Sequence, residues 1–353
     1  MNKDVMKIVF VILGTMIGAG FASGQEMYLF FFSYGIEGII GILISCSIVG
    51  LVIYKTLQIL NNNEISTYKE FLNILIKDER VRKRFCVKNI INLVINIFIL
   101  ITFFIMIAGF GAYFEQEFGV NSIIASTILS ILCFITFMTS VKGVVKVNEF
   151  LVPILIVFLI IIGIVNLKEI NFLELSNYVI RTNSSSYVLS AILYSSYNSI
   201  LLIPVLLTIK KYIKDKRQIA GASIISTLIM IFLSIIVYLI LVKVDVDIAK
   251  LEMPAVYVVS NIFYLLRYVY GFIILGSIFT TAISLGTSFL QNTAKNKKSY
   301  TQIGIIMCIT AVLISKIGFS NLVSLLYPIF GYLGLVQIIR IMMIRDKKIK
   351  IKN

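Results

Sequence analysis

Apolar runs of about 20 residues, separated by short polar stretches, recur from one end of the 353-residue chain to the other. The runs are continuous rather than alternating, which favours helices over barrel strands, and each is long enough to cross hydrocarbon at a rise of about 1.5 Å per residue. The pattern predicts ten spans, near 5–32, 36–60, 88–113, 120–140, 149–167, 187–209, 218–243, 262–290, 300–317 and 320–344. No soluble domain fits between them, since the longest polar stretch, about 61–87, is short and rich in charge. The expected architecture is an all-α polytopic membrane domain over 1–344 with a basic tail at 345–353.

Three runs carry polar residues where lipid would favour none. The first contains GTMIGAGFASGQE, residues 14–26, with Gly14, Gly18, Gly20 and Gly24 followed by Gln25 and Glu26. A helix broken there frees backbone N–H and C=O groups that protein, water or a ligand must satisfy. Two half-helix ends meeting at mid-membrane would present N–H groups to an anion and carbonyls to a cation. The same glycine spacing also suits a tight helix–helix seam. Glu26 weighs against the seam, because an intramembrane carboxylate costs on the order of 3 kcal/mol. The sixth run, SAILYSSYNSILLIP, clusters Tyr194, Ser195, Ser196, Tyr197, Asn198 and Ser199 ahead of Pro204. It lacks a glycine, so it fits either a second break or a straight helix whose serines bond within the membrane. In the eighth run, Ser277, Thr280, Thr281, Ser284 and Thr287 recur every three or four residues and share one helical face. Such hydroxyls bond back to their own helix or supply oxygen to a hard cation.

Composition adds orientation. The chain is 59% hydrophobic with a net charge of +15. With the N-terminus cytoplasmic, the ten spans leave all but six of the 32 Lys and Arg residues inside, the six being Lys168, Arg181, Lys243, Lys250, Arg267 and Lys316. That is the positive-inside asymmetry, and it places both termini in the cytoplasm of a bacterial cell membrane. The basic surface reads as a contact for anionic lipid on the cytoplasmic side rather than for nucleic acid. A signal-peptide reading of Lys3, Lys7 and AGFASG would leave nine spans and break the charge alternation, so the first run is expected to be retained. The chain has no histidine, and no CxxC, HExxH, GxSxG or Walker A string appears, so an enzyme is not expected. Cys46, Cys133 and Cys308 fall in spans and Cys86 at an edge, as small packing residues rather than a disulfide framework.

The order of these pieces resembles the LeuT-type fold of the amino acid–polyamine–organocation superfamily. Within it, GTMIGAGFASGQE, together with MIAGFGAYFEQEFG (106–119) and LYSSYN, resembles the YkvI-like bacterial membrane proteins. The resemblance implies two inverted five-span repeats, about 5–167 and 187–344, with helices 1 and 6 interrupted. It implies a coupling sodium between spans one and eight, held by the carbonyls of Gly14 and Ile17, the carbonyl of Ser277 and the hydroxyls of Thr280 and Thr281. It implies a substrate carboxylate on the N–H groups of Ala19 and Gly20, near Phe21. The rest of the substrate would lie against Gly109 and Gly111 of span three and against Tyr194, Ser195, Ser196, Tyr197 and Asn198 of span six. Proton-coupled relatives often place a span-five lysine at the sodium position, whereas span five here is apolar between Glu149 and Lys168.

Glu26 has no counterpart in the best-known relatives. Three roles fit it: binding a substrate amine, carrying a proton, or pairing across an outer gate with Arg267. Glu115 and Glu117 are expected to be solvated at the outer end of span three. The sequence thus points to a secondary carrier, with sodium-coupled uptake of a small amino acid or related zwitterion as the expected activity and no other cofactor. Proton coupling through Glu26 is the first alternative, and a non-transporting ligand sensor like spore-germination receptor subunits is the second.

Overall fold

The computed structural model describes residues 3–63, 85–138, 144–167, 183–209, 215–242, 247–262 and 264–344, with Ile65, Glu70, Phe71, Ile74, Tyr212 and Ile213 between them. The basic tail at 345–353 and most of the charged stretch at 61–87 lie outside the described residues. The first span comes in three pieces, α1 (Lys3–Met16), α2 (Ala19–Ala22) and α3 (Gln25–Phe30). It is followed by α4 (Glu37–Asn63), α5 (Phe85–Phe118), α6 (Ser122–Met138), α7 (Val144–Leu167), α8 (Tyr187–Thr208) and α9 (Lys216–Leu241). A short α10 (Pro254–Ile262) precedes α11 (Tyr264–Thr293), α12 (Lys297–Ser315) and α13 (Phe319–Met343).

Seven helices among the described residues are long and apolar enough to cross a membrane. The shorter apolar helices Ser122–Met138 and Ile156–Val165, with the broken first segment, occupy the other three expected positions. Outward faces stay apolar, as hydrocarbon requires: α6 presents Ile124, Ile128, Ile131 and Ile135, and α12 presents Ile306, Ile309 and Leu313. The protein is a multi-pass helical membrane protein.

The break falls where the glycines are. The α-helical ladder of α1 ends with Ile17 N–H donating to the Leu13 carbonyl and resumes with Ala22 N–H donating to Gly18. Gly24 has a φ of 85°, a left-handed conformation that costs a side-chain-bearing residue roughly 1–2 kcal/mol. The next turn starts from its carbonyl, which accepts from Tyr28 N–H.

The break expected in span six is absent: α8 runs unbroken from Tyr187 to Thr208, with Pro204 inside it. Its polar cluster bonds to its own helix instead of opening it. Ser195 Oγ donates to the Ile192 carbonyl, Asn198 Nδ2 to Tyr194 and Ser199 Oγ to Ser195. Without a glycine, those side chains add hydrogen bonds to an intact ladder.

Contacts sort the helices into two groups. α1 and α4 both pack on α8 and α9, whereas α5 packs on α6, α11 and α12, and α6 also packs on α11 and α12. Spans one, two, six and seven therefore form one body and spans three, four, eight and nine the other. α7 touches α1, α9 and α11, and α13 lies along α8. That last contact is close because of Gly331 and Gly334, where a side chain would strike the backbone of Leu193 and Ser196.

Candidate solute-binding site

A cavity of about 540 Å³ separates the two bodies. One end holds Gly14, Gly18, Ala19 and Glu26 of the broken span, with Tyr197 of α8, Tyr327 of α13, Thr102 and Met106 of α5, and Thr281 of α11. The other end reaches Lys7, Ser288 and Gln291, which are exposed. Glu26 is 2% exposed, so the cavity leads from the surface to a buried carboxylate.

Beyond Glu26 the path is closed by hydrogen bonds to one loop. Gln25 Nε2 donates to the carbonyls of Leu251 and Glu252, and Ala255 N–H donates to Ser23 at 2.8 Å. Tyr270 OH donates to the Ala22 carbonyl. Gln116 of α5 brackets Met253, accepting its N–H at 2.8 Å and donating to its carbonyl at 3.0 Å. Glu252 Oε2 accepts the N–H of Ser320 at 2.6 Å, fastening the same loop to the start of α13. Burial pushes the Glu252 carboxyl above the usual carboxylate range against the lowering effect of the Ser320 and Phe319 N–H donors.

The position of Glu26 follows from Gly20. A Cβ at Gly20 would overlap Oε1 of Glu26, so the missing side chain lets the carboxyl fold back over the break. Tyr194, Tyr197 and Tyr327 stand around that carboxyl and interact with it electrostatically. Tyr197 stacks on Tyr327 with centroids 4.5 Å apart, and Tyr194 meets Tyr197 edge-on at 5.7 Å. Phe30 completes the group, 5.3 Å from Tyr194 and 6.0 Å from Tyr197. Oε2 of Glu26 and the hydroxyl of Tyr194 are buried and lack hydrogen-bond partners among the described residues.

The residues expected to hold a cation meet in part. Ser277 Oγ donates to the Ile17 carbonyl at 3.3 Å, which joins α11 to the end of α1. The Ser277 carbonyl accepts from Thr280 Oγ1 at 3.1 Å within α11. Gly14 and Thr281 both line the cavity beside Gly18.

Several expected contacts lie elsewhere. A side chain at Gly109 would meet the Phe319 ring, and one at Gly111 would meet Ser122 and Ser126 of α6. Both glycines serve helix packing, and Thr102 and Met106, a turn or two away, are the α5 residues that line the cavity. Ser195, Ser196 and Asn198 are buried within the helix contacts of α8, and Phe21 is buried outside the cavity lining. Arg267 does not reach Glu26. Its Nε lies 2.8 Å from Oε2 of Glu117, which also accepts from Ser260 Oγ at 2.6 Å, and its guanidinium covers the Phe118 ring at 5.0 Å. Glu117 is accordingly 9% exposed rather than solvated. The sequence offered little warning of Tyr327, Thr102 or Met106, each an isolated residue in a long apolar run.

Fold and cavity together define a LeuT-type membrane protein. Mhp1 in its inward-facing conformation matches 94% of this chain and 75% of its own, with a TM-score of 0.68 and 13% identity. MhsT in complex with L-phenylalanine matches 95% and 87%, with a TM-score of 0.65 and 13% identity. A Na+-coupled sialic acid symporter in a substrate-bound outward-open state matches 95% and 78%, with a TM-score of 0.58 and 13% identity. By sequence, the chain is 31% identical over 344 residues to the uncharacterized membrane protein YkvI of Bacillus subtilis (strain 168), across 94% of this chain and 93% of that protein. It is 26% identical over 336 residues to YyaD of the same organism, across 95% of each. The chain belongs to the YkvI family. No protein-family model matches it.

Proposed function

We propose that this protein is a secondary active carrier that moves a small amine-bearing solute, an amino acid or related zwitterion, by alternating access. One observation carries the reading: a cavity between two helical bodies runs from the surface to a broken helix and a buried carboxylate, and hydrogen bonds close it beyond that point. The positive-inside pattern assigns the Lys7 end to the cytoplasm, so the conformation is inward-facing. Rocking of α1, α4, α8 and α9 against α5, α6, α11 and α12 would close that end and release the loop at Leu251–Met253.

Sodium is the coupling ion in this reading. The 3.3 Å contact between Ser277 and Ile17 supports a junction at which the carbonyls of Gly14 and Ile17 and the hydroxyls of Ser277, Thr280 and Thr281 offer oxygen to a hard cation. One positive charge moving down 100 mV supplies about 2.3 kcal/mol, or roughly 50-fold accumulation. Among the fold neighbours, MhsT binds L-phenylalanine and the sialic acid symporter is Na+-coupled, which agrees with this class of solute and ion. A second reading, proton coupling, is favoured by Glu26 itself, a buried carboxyl whose Oε2 has no partner among the described residues.

Uptake of labelled amino acids into proteoliposomes under imposed gradients tests both. Sodium-driven accumulation is expected. Accumulation driven by a proton gradient alone would transfer the coupling to Glu26. Saturable binding without flux under either gradient would replace the carrier with a sensor.

A further inference from the structure

The resemblance assigns the N–H groups of Ala19 and Gly20 to a solute carboxylate, yet this chain packs a carboxyl of its own against Gly20. Oε1 of Glu26 occupies the volume that a side chain on Gly20 would need. Once Glu26 is ionised, a second carboxylate there would meet like charge in a pocket of low dielectric. The cavity supplies no strong compensation, since Lys7 is the only Lys or Arg among the described lining residues. Lys7 lies nine residues before Met16, about 14 Å along α1.

What surrounds the carboxyl suits a cation. Tyr197 of α8 and Tyr327 of α13 line the cavity beside Glu26 as a stacked pair with centroids 4.5 Å apart, and Tyr194 and Phe30 pack behind Tyr197. Ring faces attract an ammonium electrostatically, and most strongly where water is excluded. Tyr194 is fully buried and Tyr197 and Tyr327 are each 2% exposed. A carboxylate beside cavity-lining aromatic rings has the two components that bind an ammonium group.

We propose that Glu26, Tyr197 and Tyr327 form a receptor for the ammonium group of an organic amine, and that a carboxylate on the solute is dispensable for binding. This rests on the carrier reading only in taking the cavity as the solute's site. It also sets a proton balance. A buried carboxyl with one oxygen left unpartnered holds either a proton or a cation. When R–NH3+ enters, the O–H bond of the carboxylic acid breaks, the carboxylate pairs with the ammonium, and one proton leaves to cavity water. The charge of the site is the same before and after. The titratable groups facing Glu26 are Tyr194 and Tyr197 from α8 and Tyr327 from α13, with Cys46 of α4 near Tyr194. α5 and α11 bring only the neutral Thr102, Met106 and Thr281 to this part of the lining.

Equilibrium binding to the purified full chain in detergent tests the proposal. The probes are methylammonium, butylammonium and choline, with 3,3-dimethylbutanol as the uncharged isostere of choline and glycine betaine as its zwitterionic counterpart. At least one cation is expected to raise the melting temperature, while the isostere does not at tenfold higher concentration. Titration calorimetry in two buffers of different ionisation enthalpy is expected to show about one proton released per cation bound at acidic pH. Glu26→Gln should abolish both effects. Because that variant changes a buried group, Tyr327→Leu and Tyr327→Phe provide a second arm: the first should weaken cation binding about tenfold, and the second should leave it near wild type. Failure of every cation to bind, equal binding of the isostere, betaine binding tenfold tighter than choline, or cation binding with no proton release at any pH would each overturn the proposal. Cation binding without flux in proteoliposomes would sink the carrier reading alone. Uptake of a zwitterion unaffected by Glu26→Gln would sink the receptor alone.

Discussion

The carboxyl of Glu26 packs against Gly20, six residues earlier in α2, where any side chain would displace it. The contact joins two features that read separately in the sequence: a glycine-rich interruption and a charge in the membrane. Gly20→Ala should therefore act through Glu26. Overpacking of this kind costs typically 1–3 kcal/mol, so the variant is expected to fold at a reduced melting temperature. Solute uptake should fall at least tenfold. Wild-type uptake by Gly20→Ala would separate the two residues functionally.

Thr281 lines the cavity, and Ser277 bonds the Ile17 carbonyl. Thr281→Ala should raise the sodium concentration for half-maximal uptake several-fold while leaving solute affinity at saturating sodium within about twofold, because a hydroxyl ligand is lost and the solute pocket is kept. A sodium titration of uptake at fixed solute reads this directly. Equal effects on both affinities would place Thr281 at the solute rather than at a cation.

The Glu117–Arg267 pair ties the end of α5 to the start of α11, with Glu117 9% exposed and shared by Ser260. Breaking a buried pair strands a charge at a cost of several kcal/mol, and the partial exposure of Arg267 reduces that figure. A double-mutant cycle of Glu117→Gln and Arg267→Met is expected to give a coupling of about 1–3 kcal/mol in thermal or denaturant stability. A coupling near zero would mean that Gln116 and the loop hold this end without the pair.

Glu252 predicts a pH dependence. Burial disfavours its ionised form, so its folded-state pKa lies above the unfolded value. Its contribution to stability is then complete below the ordinary glutamate range and is lost as pH rises through the raised folded value. Glu252→Gln keeps an oxygen for the Ser320 N–H and cannot ionise. Its melting temperature should therefore change less than that of wild type between about pH 4 and pH 7. Parallel curves would show that the loop absorbs the charge at no cost.

How much of this was legible in the sequence varies by element. All ten expected spans fall on helices or helix fragments, and the first-span break lies within residues 14–26 because left-handed Gly24 and the helix restart from Gly18 are local properties of glycine. Polar clustering misled at span six. Ser195, Asn198 and Ser199 bond back to carbonyls three or four residues earlier, and nothing in their composition distinguishes that outcome from an opened helix. Gly109 and Gly111 were legible as small residues but not as contacts of Phe319 and α6.

The sequence by itself determined the class, the number and order of the apolar runs, the basic bias of alternate connections and the site of the helix break. Each depends on residues close together along the chain. Only the tertiary structure decided that Glu26 turns back on Gly20, that Arg267 takes Glu117 as its partner, and that Tyr327 joins Tyr194 and Tyr197. In a membrane helix the lipid-facing and protein-facing sides are both apolar, so hydropathy does not fix the rotation of one helix against another. Packing does, and with it the identity of the residues that share a cavity.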